Sequence, residues 1–96
     1  MQTNPTVIAY TKGYCPYCKR AKALLRSKGV TFTELDITNR PKLRAEMIAT
    51  SGATTVPQIF IGQRHVGGST ELLAAEANGQ LDQWLAAENI AVSNVV

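Results

Sequence analysis

Two cysteines separated by two residues, Cys15 and Cys18, constrain this chain more than any other feature. They are its only cysteines. They fall between an apolar, largely β-branched run, Thr6-Val7-Ile8-Ala9-Tyr10, and a segment with helical spacing. From Pro16 onward, Tyr17, Ala21, Leu24 and Leu25 recur along one helical face, so the pair lies where a strand hands over to a helix. There the first thiol sits among the free N–H groups of the opening turn, at the positive end of the helix dipole, which favours its thiolate. Pro16 has its φ preset for the first helical position and no N–H to leave unpaired. Cys18, one turn along, can reach Cys15 to close a disulfide. This spacing at a helix start points to thiol–disulfide chemistry.

Two structural alternatives compete with the redox reading. A structural zinc site normally takes four protein ligands, but the chain has two cysteines and one histidine, His65, so a monomer cannot complete the tetrahedron. A disulfide staple closing so short a loop would constrain little chain entropy. The exchangeable dithiol is the better reading, and it suits a reducing, cytoplasmic compartment.

The chain is 96 residues long, enough for one domain spanning 1–96. It has no apolar run approaching the ~20 residues of a membrane span and no signal segment at its start, so no membrane association is expected. The net charge of +3 is unevenly spread. Six basic residues (Lys12, Lys19, Arg20, Lys22, Arg26, Lys28) and no acid precede Glu34, whereas four acids (Glu71, Glu76, Asp82, Glu88) and no Lys or Arg follow Arg64. Basic residues around a thiol favour thiolate and attract anionic substrates. Without a nucleic-acid motif or interleaved aromatics they do not indicate nucleic-acid binding, and most are expected on a solvated helix face.

In chain order, Thr6–Tyr10 reads as a strand, and Pro16 to Lys28-Gly29 as a helix with a glycine stop. Val30–Ile37 reads as a second strand, with Val30 and Phe32 on one face and Leu35 and Ile37 on the other. These three elements make a right-handed βαβ unit, with the cysteines at the carboxyl end of its first strand, where open α/β sheets place ligands. A second helix should be capped by Thr38 or Asn39, carry Pro41 in its first turn, turn Leu43, Met47 and Ile48 inward, and end at Gly52. Ile59–Ile61, a Gly62-Gln63 turn and Arg64–Val66 form a hairpin. Ser69 then caps a helix carrying Leu72, Leu73 and Ala77, which stops at Asn78-Gly79. A last helix, Gln80–Asn89, buries Leu81, Trp84 and Leu85, and 93–96 should fray. The expected fold is α/β: a four-stranded mixed sheet with helices on both faces, the thioredoxin fold.

Four motifs in this order resemble the glutaredoxins, most of all the small bacterial dithiol members, and the likeness covers nearly the whole chain. They are Cys15-Pro16-Tyr17-Cys18, Thr55-Val56-Pro57, Gly67-Gly68, and Lys12 three residues before the first cysteine. The resemblance implies a glutathione-dependent thiol–disulfide oxidoreductase with Cys15 as nucleophile and Cys18 as resolving thiol. It implies no metal and no tightly bound cofactor, with glutathione as co-substrate. The expected partners are glutathione and disulfide-containing or glutathionylated proteins, with ribonucleotide reductase one candidate, and the expected state is a monomer.

The glutathione contacts it implies are Lys12, Tyr17, Thr55, Val56, Pro57, Gly68, Ser69 and Thr70. A cis bond before Pro57 would let the Val56 backbone pair with an extended cysteine-containing peptide, as an added strand does. The glycines allow close approach, and the helix opening at Ser69 offers N–H groups to a carboxylate. By resemblance, the γ-glutamyl carboxylate sits there and the glycine carboxylate near Lys12 and Tyr17. One departure concerns Thr70, which stands where many relatives have an aspartate; the acid comes one place later, at Glu71. Two rival roles share the motif: an electron donor reduced by thioredoxin reductase, and an iron–sulfur carrier bridging a cluster between two chains. His65 and Trp84 are read as packing or surface residues, and Tyr14 as a residue that shields or flanks the site rather than reacts.

Overall fold

The computed structural model describes residues 7–88 and residue 90. Thr6, Asn89 and the segment 93–96, on which part of the sequence reading falls, lie outside the described residues. The order of elements is β1 (Val7–Thr11), α1 (Pro16–Ser27), β2 (Phe32–Asp36), α2 (Pro41–Ser51), β3 (Gln58–Ile61), β4 (Arg64–Gly67), α3 (Ser69–Ala77) and α4 (Gln80–Ala87). They form a four-stranded sheet in the order β2-β1-β3-β4. β1 runs parallel to β2 and antiparallel to β3, and β3 runs antiparallel to β4.

Strand alternation divides the interior into two cores. Val7 and Ala9 of β1, with Ile59 and Ile61 of β3, face Ala21 and Leu25 of α1, Leu72 and Ala75 of α3, and Leu81 and Leu85 of α4. Ile8, Tyr10, Leu35, Ile37 and Phe60 face α2, packing on Met47, Leu43 and Ile48. Helices therefore cover both faces, as the apolar spacing indicated, and Val30 and Ile37 lie on opposite sides as expected.

Several local expectations need correction. Neither Thr38 nor Asn39 caps α2; Arg40 occupies that position without a side-chain hydrogen bond, and Asn39 takes a positive φ of 57°. Thr38 is engaged elsewhere, its Oγ1 accepting the Gly13 N–H at 3.4 Å. Gly68, not Ser69, caps α3, and Ser69 is its buried first residue. On α3 the inward positions are Leu72 and Ala75, whereas Leu73 is exposed and Ala77 faces solvent.

One basic residue does not belong to the solvated face. Lys28 is 5% exposed, with its Nζ 2.8 Å from Glu76 and 2.7 Å from Asp82, so it ties the end of α1 to α3 and α4. Burial opposes its charge, but the hydrogen bonds and negative charges of Asp82 and Glu76 outweigh that, and its pKa is raised.

Candidate active site

Cys15 is the N-cap of α1, in extended conformation, and its Sγ accepts the Cys18 backbone N–H at 3.4 Å. The sulfur thus does what a serine or aspartate oxygen does at other helix starts. The loop before it is closed by a 3.4 Å hydrogen bond from the Cys15 N–H to the Lys12 carbonyl. Both thiols are free. Cys15 is half-buried, whereas Cys18 is 1% exposed beneath it. Burial pushes the Cys18 thiol up to about 12; the Lys12 backbone opposes the shift, and the hydrogen bond and charge of Cys15 add to it. The two sulfurs therefore differ in access.

A second segment completes the face presented by Cys15. The Val56–Pro57 peptide bond is cis, as the sequence suggested, and the Cys15 thiol faces the Val56 carbonyl at 3.8 Å. Thr55, just before, is exposed, while Pro57 and Gln58 are buried. The Gly67-Gly68 pair brings a third segment alongside. A Cβ at Gly68 would meet the Pro57 carbonyl oxygen at 3.4 Å, an ordinary van der Waals contact, so the two loops lie side by side here. Gly67 has φ +118°, and a Cβ there would press on Glu71 at 3.0 Å.

Glu71 folds back over this turn, and its Oε1 accepts the Gly68 N–H at 2.7 Å. The start of α3 is thus served by a carboxylate of the chain itself. Thr70, beside it, is exposed. Among the expected site residues, Cys15, Cys18, Val56, Pro57 and Gly68 come together directly. Lys12 joins through its carbonyl, Thr55 lies on the adjoining loop, and Ser69 and Thr70 open α3. Tyr17, 56% exposed, projects from the first turn of α1. Tyr14 does not shield the thiol; it is 94% exposed.

Three supporting features went unread in the sequence. Buried Thr11 donates to Glu34 at 2.7 Å, and Glu34 also pairs with Lys22 at 2.8 Å, so part of the basic charge of α1 is answered by β2. The hydrogen bonds from Lys22 and Thr11 hold the Glu34 carboxyl below its usual range. The third is Gln58, whose signal was a polar residue opening an otherwise apolar strand. His65 lies at the surface of β4, one of the two placements expected, with its ring tilted against Phe60 and the centroids 4.9 Å apart.

A four-stranded thioredoxin-fold sheet with a Cys-x-x-Cys pair at a helix start, facing a cis-proline loop, defines a thiol–disulfide oxidoreductase. The glutaredoxin family model matches residues 7–66. A glutaredoxin of Pseudomonas aeruginosa is 53% identical over 83 residues, covering 86% of this chain and 99% of that protein. Glutaredoxin 3 of Escherichia coli K12 is 59% identical over 76 residues, covering 79% and 92%. Among solved structures, a buckwheat glutaredoxin–glutathione complex superposes with a TM-score of 0.81 at 26% identity, covering 88% of this chain and 80% of its own. The chain belongs to the glutaredoxin family of glutathione-dependent thiol–disulfide oxidoreductases.

Proposed function

We propose that Cys15 is the nucleophile and Cys18 the resolving thiol, within one domain spanning 1–96. The observation that carries this is the contrast between a half-buried Cys15 at the helix cap and a buried Cys18 pushed up to about 12. At neutral pH Cys18 keeps its proton and leaves the first attack to Cys15. The Cys15 thiolate attacks the glutathione sulfur of a glutathionylated protein. The old S–S bond breaks, a Cys15–glutathione bond forms, and the protein thiolate leaves and takes up a proton. A second glutathione thiolate then attacks that sulfur, releasing oxidised glutathione and regenerating Cys15.

With a protein disulfide, Cys15 forms a mixed disulfide with one protein sulfur. Cys18 gives up its proton and attacks Cys15, and the second protein thiol leaves. The influences of Cys15 that raise Cys18 disappear once the Cys15 sulfur is bonded and uncharged, so Cys18 ionises more readily at the step that needs it. Two glutathiones later reduce the Cys15–Cys18 bond.

Glutathione is held, in this reading, by Lys12, Tyr17, Thr55, Val56, Pro57, Gly68, Ser69 and Thr70. The Val56 backbone pairs with its cysteinyl residue, and Lys12 and the start of α3 face its two carboxylates. No resident metal or organic cofactor takes part. The partners are glutathione and disulfide-bearing proteins, the protein acts as a monomer, and the compartment is the cytoplasm. Among the described residues, no helix is long and apolar enough to cross a membrane. The test is a coupled assay with glutathione, glutathione reductase and a small glutathione mixed disulfide, following NADPH loss. Cys15→Ser is expected to lose all activity; full activity in that variant would remove Cys15 from its role.

A further inference from the structure

Behind the Val56 loop lies a hydrogen-bond chain that the thiol chemistry does not use. Gln58 is 3% exposed, and its Nε2 donates to the Thr55 carbonyl at 2.9 Å and to Thr55 Oγ1 at 3.3 Å. Its Oε1 lies 2.7 Å from His65 Nε2. A backbone carbonyl only accepts, so the NH2 end of Gln58 must face Thr55 and its oxygen must face His65. His65 must then donate from Nε2, which the neutral Nε2–H tautomer and the imidazolium both do. The ring is braced by Phe60, its partner across the β3–β4 ladder, and alternation places Gln58 on the same face as Phe60.

The Thr55 carbonyl and the Val56 N–H belong to one trans peptide unit and point in opposite directions. Gln58 holds the carbonyl toward the buried side, which aims the Val56 N–H away from it. We propose that Gln58 and His65 are positioning residues that aim the Val56 N–H at the backbone of a bound peptide-like disulfide and so set affinity for it. This rests on the reading of Val56 as the residue that pairs with glutathione.

The experiment measures KM and kcat of His65→Leu and Gln58→Leu with a glutathione mixed disulfide, beside the rate of Cys15 alkylation by iodoacetamide. KM should rise about fivefold, the factor one lost hydrogen bond implies, with kcat and the alkylation rate unchanged. His65→Gln, which restores an N–H donor at similar reach, should recover most of the lost affinity. An unchanged KM in both leucine variants, with the wild type active, overturns the proposal and leaves the glutathione reading standing. An equal fall in kcat and in alkylation rate also overturns it, since it marks general damage. A wild type inactive with glutathione brings down the underlying reading and this proposal with it. Long-range proton–nitrogen NMR on the wild type tests the chain without substrate and without relying on a variant to fold. Protonated His65 Nε2 is expected, and a Nδ1–H tautomer overturns the proposal.

Discussion

The Cys15 sulfur accepts the Cys18 backbone N–H at 3.4 Å, so the two cysteines are joined through the first turn of α1 before any bond forms between their sulfurs. Cys18 itself is buried and shielded from outside reagents, whereas Cys15 is only half-buried.

Selective alkylation should expose this difference. With its thiol near 12, on the order of one Cys18 in ten thousand is ionised at pH 8. Iodoacetamide should label Cys15 alone in the folded protein, and both cysteines in denaturant. Peptide mass spectrometry reads the sites, and native labelling of Cys18 at a rate comparable to Cys15 would refute the assignment.

Cys18→Ser separates the two routes. Reduction of a small glutathione mixed disulfide needs only Cys15, so it should persist or rise, since the internal disulfide no longer competes. Reduction of a protein disulfide through the intramolecular bond should fail or slow greatly. Both activities measured on one preparation decide the matter. Joint loss would favour a reductant other than glutathione.

Glu71 occupies the Gly68 N–H at the start of α3, where an incoming carboxylate would meet its negative charge. Glu71→Gln keeps an oxygen acceptor for that N–H and removes the charge. KM for glutathione should fall about twofold, in keeping with the size of an exposed charge interaction. Glu71→Ala should instead cost about 1 kcal/mol of stability through the lost cap. Glutathione kinetics and urea unfolding on both variants check the two effects separately.

The Lys28 pairing predicts an asymmetry in stability. Removing both counter-charges, as Glu76→Gln with Asp82→Asn, leaves a buried ammonium unanswered. It should cost roughly 2 kcal/mol, less than in a fully enclosed pair because both acids reach the surface. Adding Lys28→Met to that variant should recover much of the loss. Because the folded-state pKa of Lys28 is raised, its contribution is full at neutral pH and fades only as pH climbs above the ordinary lysine range. Urea unfolding of the three proteins at neutral pH tests the ordering.

Much of the fold was legible in the chain because it is carried by short-range rules. The helix opening at Pro16, the glycine stop at Gly29 and the alternation of Val30 and Phe32 against Leu35 and Ile37 follow from local geometry. What sequence could not give was long-range pairing. Lys28 looked like another surface lysine because Glu76 and Asp82 lie some fifty residues away. Ser69 looked like a cap because serine caps well, but Glu71 turning back to the Gly68 N–H moved the helix start by one residue. Gln58 showed only as an anomaly, since its partners Thr55 and His65 acquire meaning once β3 and β4 pair.

The capping role of the Cys15 sulfur reaches beyond its reactivity. The atom that satisfies the opening of α1 is the one consumed in every mixed disulfide. Whatever free energy that cap lends the dithiol form must reappear, by thermodynamic linkage, as a less negative reduction potential. The length and dipole of α1 thus act on the redox poise of the protein, and a substitution that frays or strengthens that helix shifts the poise without touching either sulfur.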